Sequence, residues 1–297
     1  MIRVAPAGAA IICMEFIMTS PIRTAAAILI AISLSACSMI IGEEQLLRPV
    51  RSGSLGQDAL STAAPSYTLT SHIITATDGK KLHAVHMVQP GSTATVLYFG
   101  GNGYTIGRFG SETAKVFAPF GFNLMIVDHR GYGLSEGVPT AKNIQDDGIA
   151  AFDYLSRIPG VGRILVHGQS LGSFIAGHVA ASRETAGVVL ESSVTTTEEW
   201  ARSRAGNAPV RVTVSDAIKG QGNSRNMPLI SEPLLLLVGE NDKVTPPRLS
   251  EALYRLSPLS EDKKSLVLIP GAGHNDVLLQ PAAVRAYRNF LVRWVAR

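Results

Sequence analysis

The chain has 297 residues, 46% hydrophobic and 17% charged, which excludes extended disorder and leaves room for one large α/β domain with a tail or two small domains. The net charge of +4 comes from scattered basic residues with no dense Lys/Arg run interleaved with aromatics, so no nucleic-acid partner is expected. The two cysteines, Cys13 and Cys37, both lie near the beginning, which excludes disulfides and cysteine metal sites from the body of the chain.

Ala25 to Leu34 is a short apolar run, well below the roughly 18 residues needed to span a bilayer. Arg23 precedes it and Leu34-Ser35-Ala36-Cys37 closes it, the layout of a secretory signal over residues 1–36. A start at Met18 would give such a signal its usual proportions and make residues 1–17 an over-long reading. The closing tetrapeptide resembles the lipobox of bacterial lipoproteins, with an ordinary signal peptide or a short anchor helix as the plainer alternative. That resemblance implies acylation of Cys37, palmitate included, and membrane attachment, each buried methylene contributing about 0.8 kcal/mol. By the sorting rule of that class, Ser38 rather than Asp after the cysteine implies the outer membrane, facing the periplasm.

Residues 37–65, rich in Ser, Gly and Ala, read as a tether, with the domain occupying residues 66–297. Ser66 to Ala76 and Lys81 to Met87 alternate apolar and polar residues around Asp78-Gly79, a hairpin signal. Continuous apolar runs follow at Thr95 to Phe99, Asn123 to Val127, Arg163 to His167, Gly187 to Leu190, Leu234 to Val238 and Ser265 to Ile269, as in strands buried on both faces. Helical patterns fall at Ser111 to Phe117, Ile144 to Ile158, Leu171 to Ser182, Arg248 to Leu256 and Pro281 to Val295. This alternation predicts a mostly parallel eight-stranded sheet with helices on both faces. Glu191 to Glu232 breaks the rhythm between the sixth and seventh strands, where a lid would be inserted.

Gly168-Gln169-Ser170-Leu171-Gly172 sits between a predicted strand and a predicted helix. In so sharp a turn, small residues two positions either side of the serine avoid side-chain clashes. Ser170 is thus the candidate nucleophile; the plain alternative is a serine that caps the following helix. A serine hydroxyl needs a base. Of the seven histidines, His274 in Gly271-Ala272-Gly273-His274 follows the last strand and can reach Ser170. Asp242, after the seventh strand, is the candidate that orients the base; Glu240 and Asp276 are weaker choices. The backbone N–H of Leu171 and one from Phe99-Gly100-Gly101-Asn102-Gly103, Asn102 before Gly101, are the candidate oxyanion donors.

These motifs, together with Asp128-His129-Arg130-Gly131-Tyr132-Gly133-Leu134-Ser135-Glu136-Gly137, resemble the serine hydrolases of the serine-aminopeptidase-like and BEM46-like branch of the α/β-hydrolases, over Tyr67 to Arg297. Gly100-Gly101 stands where many members have His-Gly. The resemblance implies an α/β-hydrolase fold and hydrolysis of carboxylic esters or thioesters of a small acyl substrate by Ser170, His274 and Asp242, with neither metal nor organic cofactor. A peptidase of the serine-aminopeptidase type and a non-catalytic lipoprotein binding module are the alternatives.

Overall fold

A computed structural model describes residues 38–206 and 211–296; the signal segment 1–36 and Cys37 lie outside the described residues. Contacts divide the chain into Met1–Met39 with Pro209–Arg211, of which Ser38, Met39 and Arg211 are described, and a larger unit of Ile40–Ala208 and Val212–Arg297.

Eight strands form the sheet of the larger unit: β1 (Thr68–Thr75), β2 (Lys81–Val88), β3 (Ala94–Phe99), β4 (Asn123–Val127), β5 (Arg163–Gln169), β6 (Gly187–Glu191), β7 (Leu234–Gly239) and β8 (Lys264–Ile269). Their spatial order is β8-β7-β6-β5-β3-β4-β2-β1. β2 is antiparallel to both β1 and β4, and the other neighbours are parallel. Every residue of β3, β4 and β7 is buried, the reason these strands read as unbroken apolar runs. Alternate residues face opposite layers: Leu97 and Phe99 of β3 join one core cluster, Val96 and Tyr98 the other.

β3 lies between β4 and β5, so the chain order reverses there, and the crevice beyond the carboxyl ends at such a point is where open α/β sheets bind ligands. The register pairs Phe99 with Gly168. It also pairs Gly239 with Ile269. The loops after β3 and β5, and those after β7 and β8, are therefore neighbours.

Residues 40–65 depart from the expected tether and extend the compact unit back to Ile40. Helices α1 (Glu43–Leu46) and α2 (Gln57–Ala63) bury Leu46 and Leu60. Leu60 packs against Ile106 and Gly110 of α3 (Ile106–Phe117). The Ser/Gly/Ala composition concealed a few leucines, and fully burying each contributes about 1.5–3 kcal/mol. A side chain on Gly107 would overlap the Ser54 carbonyl, so segment and helix are in backbone contact. α3 also begins earlier than predicted, its first turn disguised by Gly107 and Gly110.

The remaining helices are α4 (Asn143–Leu155), α5 (Leu171–Ala180), α6 (Thr197–Ala205), α7 (Pro247–Leu256) and α8 (Pro281–Phe290), the last continuing into a π-helical turn, Leu291–Val295. The stretch expected as a lid divides in two. α6 holds Trp200 and Arg204 against a cavity, whereas Ile218, Met227 and Ile230 are buried in the core. Asn223, fully buried, ties that second part to α5 by donating to the Ser173 carbonyl at 2.9 Å.

Candidate active site

Ser170 stands at the junction of β5 and α5 with φ 51° and ψ −113°. A positive φ costs a non-glycine residue on the order of 1–3 kcal/mol and persists only where neighbours enforce it. Here the Ser170 N–H donates to the Glu191 carbonyl at 2.9 Å, and its own carbonyl accepts from the Ser173 hydroxyl at 2.6 Å. A Cβ on Gly168 would run into the Gly172 carbonyl, and one on Gly172 into the Phe99 carbonyl. Both glycines are thus required by backbone-to-backbone approach. Ser170 does not cap α5 with its side chain. Its Oγ lies 2.9 Å from His274 Nε2 instead.

His274 Nδ1 lies 2.9 Å from Asp242 Oδ2, so one imidazole bridges the hydroxyl and a fully buried carboxylate. The Asp242 carboxylate also accepts from the N–H groups of Val244 and Thr245, each at 2.8 Å, and from the Thr245 hydroxyl at 2.7 Å. Burial pushes this carboxyl up, but the His274 hydrogen bond and charge and the Thr245 donors outweigh it and hold the group below the usual Asp value. Asp242 is therefore ionised at neutral pH and fixes Nδ1 as the protonated nitrogen, leaving Nε2 to accept from Ser170. Of the weaker choices, Glu240 is exposed, and Asp276 accepts from the Gly273 N–H at 2.7 Å, which shapes the loop before His274.

Leu171 N–H begins α5, and Asn102 N–H lies in the loop after β3; among the described residues neither donates to a protein acceptor, nor does Gly101 N–H. The loop presses on Ser170: a Cβ on Gly101 would stand 3.5 Å from Ser170 Cβ. Neighbouring side chains hold it there. His129 Nε2 donates to the Gly100 carbonyl at 2.7 Å, and its ring stacks on Phe99. Asn102 Oδ1 accepts from the Tyr132 hydroxyl at 2.8 Å and the Arg48 N–H at 2.9 Å, while its Nδ2 donates to the Leu46 carbonyl at 2.8 Å. The Arg130-Gly131-Tyr132-Gly133 motif thus supports the loop through Tyr132, and Arg130 anchors the motif by pairing with buried Asp147 at 2.6 Å.

Residues 90–221 match the family model described as serine aminopeptidase, S33. Lysophosphatidylserine lipase ABHD12 of Mus musculus is 30% identical over 221 residues, 67% of this chain and 56% of that protein. Protein ABHD12B of Homo sapiens is 29% identical over 203 residues, 61% of this chain and 55% of its own length. The chain thus spans little more than half of either relative. Among solved structures, the esterase Pf2001 of Pyrococcus furiosus matches with a TM-score of 0.67 at 20% identity, over 84% of this chain and 98% of that one. This is an α/β-hydrolase fold.

Two cavities of about 420 Å³ each adjoin the Ser170 elbow of this α/β-hydrolase fold and share Gly101, Asn102, Gln169 and Asn275. One is aromatic, walled by Tyr98, Tyr104, Phe109 and Phe117. The other contains Ser170 and His274, with Leu46, Phe174, Val194 and Trp200 as its apolar wall and Arg48 and Arg204 as its charges. Among the described residues no group of three or more His, Cys, Asp or Glu is placed to hold a metal ion.

Proposed function

We propose that this protein is a serine hydrolase that cleaves carboxylic esters or thioesters through an acyl-enzyme. The observation that carries the reading is the hydrogen-bonded chain Ser170 Oγ, His274 Nε2, His274 Nδ1, Asp242 Oδ2, with both separations at 2.9 Å. Ser170 Oγ attacks the carbonyl carbon as its proton passes to Nε2. The imidazolium, stabilised by Asp242, then protonates the leaving oxygen or sulfur. Water enters, gives its proton to Nε2 and attacks the acyl carbon, which releases the acid and restores the serine. The Leu171 N–H and one from Gly101 or Asn102 would receive the negative charge on the carbonyl oxygen in each tetrahedral intermediate. The lysophosphatidylserine lipase and esterase names of similar proteins agree with ester chemistry. The serine-aminopeptidase family match favours a peptidase as the second reading. Against it, among the described residues no Asp or Glu lines the cavity that contains Ser170, where a substrate amino terminus would seek one.

A fluorophosphonate probe tests the reading against a non-catalytic binding module. Wild type should label and hydrolyse p-nitrophenyl esters, and Ser170→Ala should do neither. A folded wild type that resists the probe would sink the proposal.

We further propose that Cys37 carries acyl chains anchoring the protein to the outer membrane, facing the periplasm. Support comes from the Leu34-Ser35-Ala36-Cys37 sequence followed by Ser38. Mass spectrometry of the mature amino terminus decides it, an unmodified Cys37 being the contrary result.

A further inference from the structure

Arg48 and Arg204 approach the Ser170 cavity from two different elements. Arg48 follows α1, and its backbone N–H is held by Asn102 Oδ1 and the Tyr132 hydroxyl, each at 2.9 Å. The root of its side chain is therefore fixed to the loop beside Ser170. Arg204 sits in the last turn of α6, four residues after Trp200, so the two share one helix face, and both line the cavity. Among the described residues the arginines in ion pairs are Arg130, Arg183 and Arg293, so neither cavity arginine has a carboxylate partner. Among the described residues no Asp or Glu belongs to the cavity lining. Two arginines without carboxylate partners on the lining of one cavity with an apolar wall describe a receptor for an amphiphile with an anionic end, because a guanidinium binds phosphate or carboxylate through parallel N–H donors.

We propose that Arg48 and Arg204 select acyl esters that carry an anionic group, a phosphate or a carboxylate, and hold that group while Ser170 attacks the ester. The proposal deepens the serine-hydrolase reading and rests on it. It also gives residues 40–65 a part in specificity, since Arg48 belongs to that segment.

The test compares matched substrates that differ by one anionic group. One pair is monododecanoylglycerol and its phosphomonoester, a lipid-type anion. The other is p-nitrophenyl butyrate and mono-p-nitrophenyl succinate, a small soluble anion. Wild type should show the higher kcat/KM on the anionic member, and the preference should shrink as salt rises. Arg48→Gln and Arg204→Gln should each lower the anionic-to-neutral ratio by about tenfold. Arg→Lys should restore part of it, as a positive charge without the fork. Preference confined to the phosphate pair assigns the site to a lipid headgroup, and preference confined to the succinate pair assigns it to a small anion. Equal rates on both members of each pair, or variants that leave the ratio where it was, overturn the proposal. Both arginines are exposed, so folding survives their replacement, which circular dichroism checks. Should fluorophosphonate fail to label wild type, the hydrolase reading falls by itself. Calorimetric binding of hexyl phosphate, expected to weaken about tenfold in Arg48→Gln, then decides the anion site separately.

Discussion

The side-chain amide of Gln169 donates to the carbonyl of His274 at 3.2 Å, so the residue immediately before the serine restrains the loop that carries the imidazole. The same side chain packs its oxygen against Gly101 in the loop after β3. One residue of the elbow therefore sets the spacing of both loops that meet at Ser170. Gln169→Ala should lower kcat by about ten- to a hundredfold, because misplacing the reacting groups by an ångström costs that much. Fluorophosphonate labelling should slow yet persist. Burst kinetics with a p-nitrophenyl ester separates this acylation defect from loss of folded protein.

Asp242→Asn should cost about four orders of magnitude in kcat with little loss of structure. The amide would retain an oxygen for the two backbone N–H groups but present an N–H toward His274 Nδ1, favouring the tautomer that cannot take the Ser170 proton. Single-turnover kinetics measures the loss, and near-normal kcat would assign the orienting role elsewhere.

Gly172→Ala should unfold the elbow before it alters the chemistry. Its methyl group would overlap the Phe99 carbonyl, and backbone cannot withdraw as a flexible side chain can. A loss of about 1–3 kcal/mol or more is expected in urea unfolding. Gly103→Ala provides the contrast: its Cβ meets nothing within 4 Å, leaving the strain of φ +79° as the main cost.

Burial pushes the Asp128 carboxyl up to about 6, against the opposing effect of the Ile106 and Leu134 N–H donors. The folded state then holds a proton between the ordinary Asp value of 3.8 and about 6 that the unfolded chain has released. Stability contributed by this group is fully present below that window and declines as pH rises through it. Asp128→Asn should flatten this part of the curve, measured as urea midpoints from pH 4 to 7.

Much of the fold is legible in the chain because a strand buried on both faces must be apolar throughout. β4 and β7 announce themselves this way, as Asn123–Val127 and Leu234–Gly239. α3 does not, since Gly107 and Gly110 remove the side chains that periodicity relies on. Leu46 and Leu60 are hidden for the opposite reason: a few leucines in a polar stretch have no period, and only the folded chain shows that Leu60 covers α3 while Leu46 joins the other core cluster.

The same division runs through the site. The sequence by itself determined the alternating α/β fold class and set Ser170, Asp242 and His274 each just beyond the end of a strand, because buried strands must be apolar and a sharp strand-to-helix turn demands glycines at fixed spacing. Tertiary structure alone decided that β3 inserts between β4 and β5, which brings Gly101 to Ser170. It alone joined Asn102 to Tyr132 and Arg48, and set Arg48 and Arg204 at one cavity. Those partners lie far apart in the chain, and a hydrogen bond or a shared cavity between distant residues leaves no period or spacing in the sequence that could announce it.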